Sequence, residues 1–401
     1  MHLRRQLRTG RYHVLDTALW RSLAAGQQPQ WPDPAKLEEV RGALSAAPAL
    51  VRGEDVRALR ALLAKAAAGE IQIVQSGDCA EDPAESTRGH VARKAALLDS
   101  LAAVMKSRSF KPVLRVGRLA GQFGKPRSNP TEVIGGVELP VYRGHMVNSP
   151  EPDPELRRPD PGRLYDGYQA ARDVMELLGW YGDSARSAAE PPVYTSHEAL
   201  LLDYEGPMLR TEPDGSTLLT STHWPWIGER TRELDGAHVA FFAELANPVA
   251  TKVGPKTTPE QLLALCERLD PKREPGRLTL ISRMGAGKAA ERLPELARAV
   301  SDAGHPVVWM CDPMHGNTVS AGGYKTRFIE TVVREVEEFQ ASVNDNGGVA
   351  AGLHLETTPD PVHECVANAS RVGELGEKYT SFCDPRLNPE QAIEVASAWR
   401  G

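Results

Sequence analysis

The sequence predicts an α/β protein, a (β/α)8 TIM barrel preceded by an N-terminal extension, and three observations carry that expectation. Short apolar runs of strand length recur eight times along the chain. Helical patterns fall between several of them, as parallel strands require for their crossovers. The 401 residues, 41% apolar and 25% charged, are enough for one large barrel.

Residues 1 to 55 are irregularly polar, with a Gln/Pro-rich stretch from Gln27 to Pro34 and a helical segment from Leu37 to Leu44. They form the extension, expected to serve as a lid or an oligomer arm. Residues 56–401 are assigned to the barrel. Its first element is a helix, because Val56, Leu59, Leu62, Leu63 and Ala66 share one face and Gly69 ends the run. Ile71 to Val74 then reads as a buried strand. Strands are expected near 71–76, 113–117, 193–196, 217–221, 249–253, 277–282, 306–311 and 349–356. Between them lie helical patterns at Leu262–Leu269, Ala290–Ala303 and Arg327–Phe339. The fourth strand is the least regular, since Leu218-Leu-Thr-Ser-Thr-His-Trp leads into a turn. Two long loops, Ser149 to Arg163 and Ser184 to Pro192, have the length of active-site lids or disordered connectors.

Composition narrows the function. The 47 Lys plus Arg are interspersed with 53 Asp plus Glu, for a net charge of −6, so there is no basic footprint for nucleic acid. No window approaches the roughly 18 apolar residues of a membrane span, and no apolar run follows the basic N-terminus to make a signal peptide. Five cysteines are an odd count, which argues against a disulfide framework and for reduced thiols in the cytoplasm. A cytoplasmic enzyme acting on a small molecule is the favoured class.

In a parallel barrel the reactive groups lie at the C-terminal ends of the strands. Cys79, His315 and Glu356 follow strands one, seven and eight, and closure places strand eight beside strand one. Asp384, in the loop after strand eight, could supply a fourth ligand. A thiolate mixed with carboxylates and imidazole suits Mn²⁺, Co²⁺, Fe²⁺ or Zn²⁺ better than Mg²⁺ or Ca²⁺. Taken singly, each residue reads more readily as a buried thiol or a loop hydrogen-bonder; their convergence reverses that reading. Arg118, Lys125, Arg127, Arg230, Lys252 and Arg283 also fall at strand ends or in the first loop positions. One such arginine would be an ordinary solvated charge. Six on one rim of a net-negative protein argue for a substrate bearing phosphate and carboxylate groups.

Three motifs are set aside. Gly285-Ala-Gly-Lys288 resembles part of a phosphate loop, but Ala289 stands where Ser or Thr is needed. No Gly-x-Gly-x-x-Gly follows the first strand, which removes a dinucleotide site. His354-x-Glu356 lacks the Pro-Cys-x-x-Cys of a zinc deaminase. His354 and Glu356 point to one face of a strand, so His354 is as much a partner to the ligands as a ligand.

Many blocks, in order, resemble one family. They include Gly77-Asp-Cys-Ala-Glu81, Gly117-Arg-Leu-Ala-Gly-Gln with Lys125-Pro-Arg-Ser128, Thr195-Ser-His-Glu-Ala and Trp226-Ile-Gly-Glu-Arg-Thr-Arg232. Asn247-Pro-Val-Ala-Thr-Lys-Val-Gly-Pro255, Arg283-Met-Gly, Cys311-Asp-Pro-Met-His-Gly-Asn-Thr318 and Cys383-Asp-Pro-Arg-Leu-Asn388 continue the series. Together, from about Pro29 onward, they resemble the type II 3-deoxy-D-arabino-heptulosonate 7-phosphate (DAHP) synthases. The resemblance implies metal-dependent condensation of phosphoenolpyruvate with erythrose 4-phosphate, the entry to the shikimate pathway. It places the metal, Mn²⁺ or Co²⁺ in preference to Zn²⁺ or Fe²⁺, on Cys79, His315, Glu356 and Asp384. It gives phosphoenolpyruvate to Arg118, Glu229, Arg230, Lys252 and Arg283, and the aldose phosphate to Lys125, Arg127 and Ser128. Glu229 is expected to orient the attacking water through Arg230 or Lys252.

The chain departs from the family at Ser76, where Gly is expected, and at His145, where Tyr142-Arg-Gly is expected to continue with Asp. An imidazole on the expected aldose side raises a rival reading, a synthase taking another aldehyde such as an amino analogue. The segment between Arg118 and Arg283 is shorter than in members carrying aromatic amino-acid feedback sites, so weak feedback and a place in secondary metabolism are expected. Homo-oligomers and a chorismate mutase partner are further expectations. A non-catalytic barrel serving as a regulatory partner is disfavoured, because a binding module does not need the full ligand and cation set. Finally, Cys383 beside Asp384 reads first as a loop cysteine that merely packs; if the loop brings it beside Cys79, oxidation would join the two thiols and remove a ligand.

Overall fold

The computed structural model describes residues 19–181 and 192–401. Eight parallel strands make one sheet: β1 (Gln72–Gly77), β2 (Val113–Arg118), β3 (Tyr194–Thr195), β4 (Trp226–Ile227), β5 (Val249–Val253), β6 (Leu278–Ser282), β7 (Val308–Cys311) and β8 (Ala350–Glu356). Their order is β3-β2-β1-β8-β7-β6-β5-β4. The two ends meet through a parallel bridge between Glu198 and Trp226, where Trp226 N donates to His197 O at 3.1 Å and Ala199 N to Trp226 O at 3.1 Å. The barrel is thereby closed, as the alternating pattern predicts. Strands β1, β5, β6 and β8 are buried along their whole length, which is why they read as continuous runs rather than alternating ones.

The helices include α1 (Pro34–Ala46), α2 (Gly53–Ala67), α3 (Arg88–Ser109), α4 (Gly162–Leu177), α5 (Ala237–Ala243), α6 (Pro259–Leu269), α7 (Lys288–Asp302), α8 (Ile329–Asn344) and α9 (Pro389–Ser397). Local chemistry fixes their starts. Thr258 and Gln261 form a capping box on α6, as Asn388 and Gln391 do on α9, each with Pro in the first turn. Helix α2 lies against the N-terminal end of the barrel: a Cβ on Gly276, just before β6, would meet Arg60 O at 2.3 Å and Ala64 N at 2.6 Å. This leaves the C-terminal end as the open mouth.

Two expectations are corrected. The run 217–221 is not a wall strand, since Thr217–Leu219 pairs antiparallel with Leu209–Thr211. Asn247 takes the amide of Leu219 at 2.9 Å and donates to its carbonyl at 3.0 Å, turning the chain away before the wall is reached. The wall is instead supplied by Trp226–Ile227, too short to show a period. The loop Ser149 to Arg163 is neither lid nor disordered connector. It wraps the buried Arg157, whose guanidinium donates to the carbonyls of Glu151 at 2.8 Å, Pro150 at 2.7 Å and Pro140 at 3.1 Å. The Ser184 to Pro192 loop lies outside the described residues except for Pro192, as do residues 1–18 of the extension. Within the rest of the extension, Trp20 packs edge-on against Phe241 of α5 with centroids 5.1 Å apart. Gln27 accepts from Arg127 N at 2.8 Å through its side chain and from Arg143 Nη1 at 3.0 Å through its carbonyl, which seats the segment beside the barrel mouth.

Candidate active site

The mouth holds a cavity of about 290 Å³ whose lining includes all six cations named from the sequence: Arg118, Lys125, Arg127, Arg230, Lys252 and Arg283. Register explains much of this. Gly77, Arg118 and Glu356 stand level on adjacent strands, with Gly77 paired to both. Gly77 has φ +155 and no room for a side chain, since a Cβ would meet Arg118 O at 2.6 Å.

Glu356 is the hub. Its Oε1 lies 3.1 Å from His315 Nε2, 3.2 Å from Arg118 Nη2 and 3.4 Å from Lys125 Nζ, and its Oε2 accepts from Arg327 Nη2 at 2.9 Å. Burial alone would raise this carboxyl, yet His315, Lys125 and Arg327 hold it well below the usual carboxylate range. Cys79, Glu356 and Asp384 each offer a ligand atom within 4.8 Å of the others. His315 joins this cluster through Glu356, while Asp312 Oδ2 holds its other ring nitrogen at 2.8 Å. Burial, a hydrogen bond with Cys383 and the charge of Glu356 push the Cys79 thiol well up, so a cation is needed to make it a thiolate. Asp384 is held low by Lys125 and Arg327 despite its burial. A thiol and two anionic carboxylates converging in this way fit a divalent ion. Cys79 Sγ reaches Asp384 Oδ2 at 3.7 Å and accepts from Asp384 N at 3.3 Å, Cys383 lies close enough to Cys79 for each thiol to shift the other, and both are free.

Lys252 Nζ lies 2.6 Å from Asp312 Oδ2, at the end of a line running from His315 through Asp312. Burial pushes Lys252 down to about 8, with Asp312 opposing and Arg118 adding to the drop. Arg118 stacks over Trp226, 5.1 Å from the ring centroid, and its Nη1 donates to His354 Nε2 at 2.6 Å. Burial and the neighbouring Lys252 and Arg118 keep His354 neutral, and its Nδ1 reaches Gln75 Oε1 at 2.7 Å. His354 therefore orients Arg118 and lies outside the ligand cluster.

The outer residues pair differently from expectation. Glu229 Oε1 takes Arg232 Nη2 at 2.8 Å, whereas Arg230 donates to Ser128 Oγ at 2.8 Å. Glu229 thus contacts neither Arg230 nor Lys252 by hydrogen bond, because Arg232, one turn on, is nearer; its Oε2 is buried without a partner. Arg127 reaches Cys383 Sγ at 3.7 Å and Glu132 at 3.5 Å. His145 is not among the cavity-lining residues: its Nδ1 meets Tyr142 OH at 2.7 Å, and its ring packs on Phe382 at 5.2 Å.

Several residues of the site were not assigned from the sequence. Glu198 lines the cavity, with Oε1 buried and unpartnered, although it follows the third strand end in plain view. Asp312 stands three residues before His315. Lys325, on the Val319–Ala321 and Tyr324–Thr326 hairpin, reaches Asp384 Oδ1 at 3.1 Å, and no motif marks it.

A closed barrel whose mouth pairs a thiol-carboxylate cluster with a ring of cations is the site of an enzyme handling small polyanions. The family model for the class-II DAHP synthetase family matches residues 15–185 and 173–399. The chain is 56% identical over 376 residues, 93% of this chain and 94% of the other, to a probable phospho-2-dehydro-3-deoxyheptonate aldolase of Pseudomonas fluorescens. It is 39% identical over 426 aligned positions, 94% of this chain and 95% of the other, to the phospho-2-dehydro-3-deoxyheptonate aldolase of Streptomyces coelicolor. The solved structure of phospho-2-dehydro-3-deoxyheptonate aldolase from Francisella tularensis superposes with a TM-score of 0.51 at 13% identity, covering 99% of this chain and 100% of that one, a likeness of fold alone. The chain belongs to the class-II DAHP synthetase family, and it is a transferase, a 3-deoxy-7-phosphoheptulonate synthase.

Proposed function

We propose that the mouth condenses phosphoenolpyruvate with erythrose 4-phosphate on a divalent ion, Mn²⁺ or Co²⁺, held by Cys79, His315, Glu356 and Asp384. The observation that carries this reading is the cluster of Cys79, Glu356 and Asp384 ligand atoms within 4.8 Å, set against the cation-lined cavity. When bound, the ion supplies Lewis acidity toward the aldehyde oxygen. The protein's own groups do the rest. Arg118, Lys252 and Arg283, with Arg230 at the rim, hold the carboxylate and phosphate of phosphoenolpyruvate. Lys125, Arg127 and Ser128 take the phosphate of the aldose. Arg118 and Lys252 flank the face of Trp226, so the enolpyruvate binds in a low-dielectric pocket where fixed charges stabilise the developing negative charge best. Glu229 Oε2, buried and without a partner, accepts a hydrogen bond from the water that adds at C2 as phosphate departs.

The test is loss of enolpyruvate ultraviolet absorbance on chelator-treated protein, with erythrose 4-phosphate and with or without Mn²⁺ or Co²⁺. Metal-dependent loss is the expected result. A folded, metal-loaded protein that consumes no phosphoenolpyruvate with this aldehyde, but does so with an amino analogue, would transfer the proposal to the rival acceptor.

A further inference from the structure

The discarded Gly285-Ala-Gly-Lys288 motif lies in the loop after β6, directly behind Arg283, and a buried carboxylate from α8 holds it in place. Glu335, fully buried, accepts at Oε1 from the amides of Met284 and Gly285, both at 2.9 Å. Its Oε2 accepts from Asn317 Nδ2 at 2.6 Å. Asn317 belongs to the loop after β7, two residues beyond His315. Its amide group also donates to Pro313 O at 2.8 Å, and its Oδ1 accepts from Ala286 N at 3.0 Å. The two loops touch backbone to backbone: Gly285 has φ +89, and a Cβ there would meet Gly316 O at 2.9 Å. Across the top, Arg283 Nη2 donates to His315 O at 3.1 Å. One acidic side chain thus satisfies three N–H donors on two loops, and these carry a phosphoenolpyruvate cation and a proposed metal ligand.

We infer that Glu335 is a positioning residue that clamps the β6 and β7 loops into one block, so that Arg283 and His315 keep a fixed separation. The inference rests on the roles proposed above for Arg283 and His315. The aldose-phosphate groups Lys125, Arg127 and Ser128 belong to the β2 loop, which Glu335 does not touch, so the clamp acts on one substrate and on the metal. Its hydrogen bonds are directional. Burial pushes Glu335 up to about 8, opposed by the amides of Gly285 and Met284 and by Asn317; its ionised form accepts at both oxygens, whereas the isosteric amide of Glu335→Gln turns one acceptor into a donor facing Asn317 Nδ2. Rotating the Asn317 amide would restore that contact only by losing those to Ala286 N and Pro313 O.

The test compares wild type, Glu335→Gln and Asn317→Ala. The second variant removes the Oε2 contact together with those to Ala286 N and Pro313 O, and leaves both backbone bonds to Oε1. Wild type must first show metal-dependent turnover; without it the proposed chemistry fails, and the clamp is judged on Co²⁺ affinity alone, read from the thiolate-to-metal absorption band. Both variants are expected to raise the Co²⁺ dissociation constant and, at saturating Co²⁺, the KM for phosphoenolpyruvate by about tenfold, with the KM for erythrose 4-phosphate under the same saturating metal within about twofold of wild type. A role in stability alone would lower the melting temperature and the active fraction and leave these constants unmoved; that result overturns the inference. Equal rises in both substrates' KM overturn it too. If Glu335→Gln fails to fold, the same selective pattern in Asn317→Ala sustains the inference, and its absence ends it.

Discussion

Arg327 Nη2 donates to Glu356 Oε2 at 2.9 Å, and neither side chain is exposed to solvent. The arginine also donates to Thr318 Oγ1 at 3.0 Å and to the carbonyl of Pro385, next to Asp384. It thereby commits Oε2 of Glu356 and leaves Oε1 to His315, Arg118 and Lys125.

Removing Arg327 leaves Glu356 Oε2 buried without a partner, while Arg118 and Lys125 still face Oε1. Arg327→Met is therefore expected to lower unfolding stability in urea titrations by less than the about 3–5 kcal/mol of a wholly uncompensated buried charge. It should also weaken Co²⁺ binding, since Glu356 loses its orientation. A variant as stable as wild type that bound metal equally well would show that Arg327 is dispensable for the hub.

How much of this was legible in the sequence follows from period and burial. Strands such as β1, β5 and β8 are buried on both faces and stand out as apolar runs. β4 is two residues long and sits among Trp, Pro and Gly, so no period could reveal it. Cys79, Glu356 and the strand-end cations were legible because a barrel sends the residues after its strands to one rim. Arg327 and Lys325 were not, since they precede a helix and sit in a hairpin, and only tertiary folding brings them to Glu356 and Asp384. Glu229 illustrates the other limit: its partner is decided among Arg230, Arg232 and Lys252 by local chain direction, and Arg232 wins.

Cys79→Ala should separate chemistry from folding. The thiol is small and buried, so its loss costs about 1 kcal/mol in stability. Metal-dependent turnover and the Co²⁺–thiolate band should both vanish. An active Cys79→Ala protein would remove Cys79 from the ligand set.

The neighbouring Cys79, reinforced by Lys125 and Arg127, lowers the Cys383 thiol despite its burial. Metal-free protein exposed to oxygen or diamide is expected to form the Cys79–Cys383 cross-link, seen as a loss of two mass units and as a joined peptide pair. Thiol reductant should restore metal binding. Free thiols at both positions after prolonged oxidation would retire this expectation.

The alignment to the Streptomyces coelicolor relative spans 426 positions, more than the 401 residues of this chain, so that relative carries segments missing here. If those segments include a feedback site, tryptophan and phenylalanine should inhibit this protein only weakly. The expected inhibition constants lie above about 0.5 μM, or about −8.6 kcal/mol of binding. Tighter inhibition in a turnover assay would mean that the described barrel builds such a site without the extra segments.

Lys252 gives the pH dependence. Burial lowers it to about 8, so free protein carries the ammonium below that pH and the neutral amine above it. An anionic substrate needs the charged form, so kcat/KM for phosphoenolpyruvate should fall as pH rises through about 8, approaching tenfold per pH unit. The bound anion favours the ammonium and raises its pKa, so the same limb in kcat should appear at higher pH. Lys252→Arg keeps its charge throughout and should lose the limb, while its bulkier planar head misfits the Asp312 contact and lowers kcat/KM at neutral pH. An unchanged limb in Lys252→Arg would assign the titration to another group.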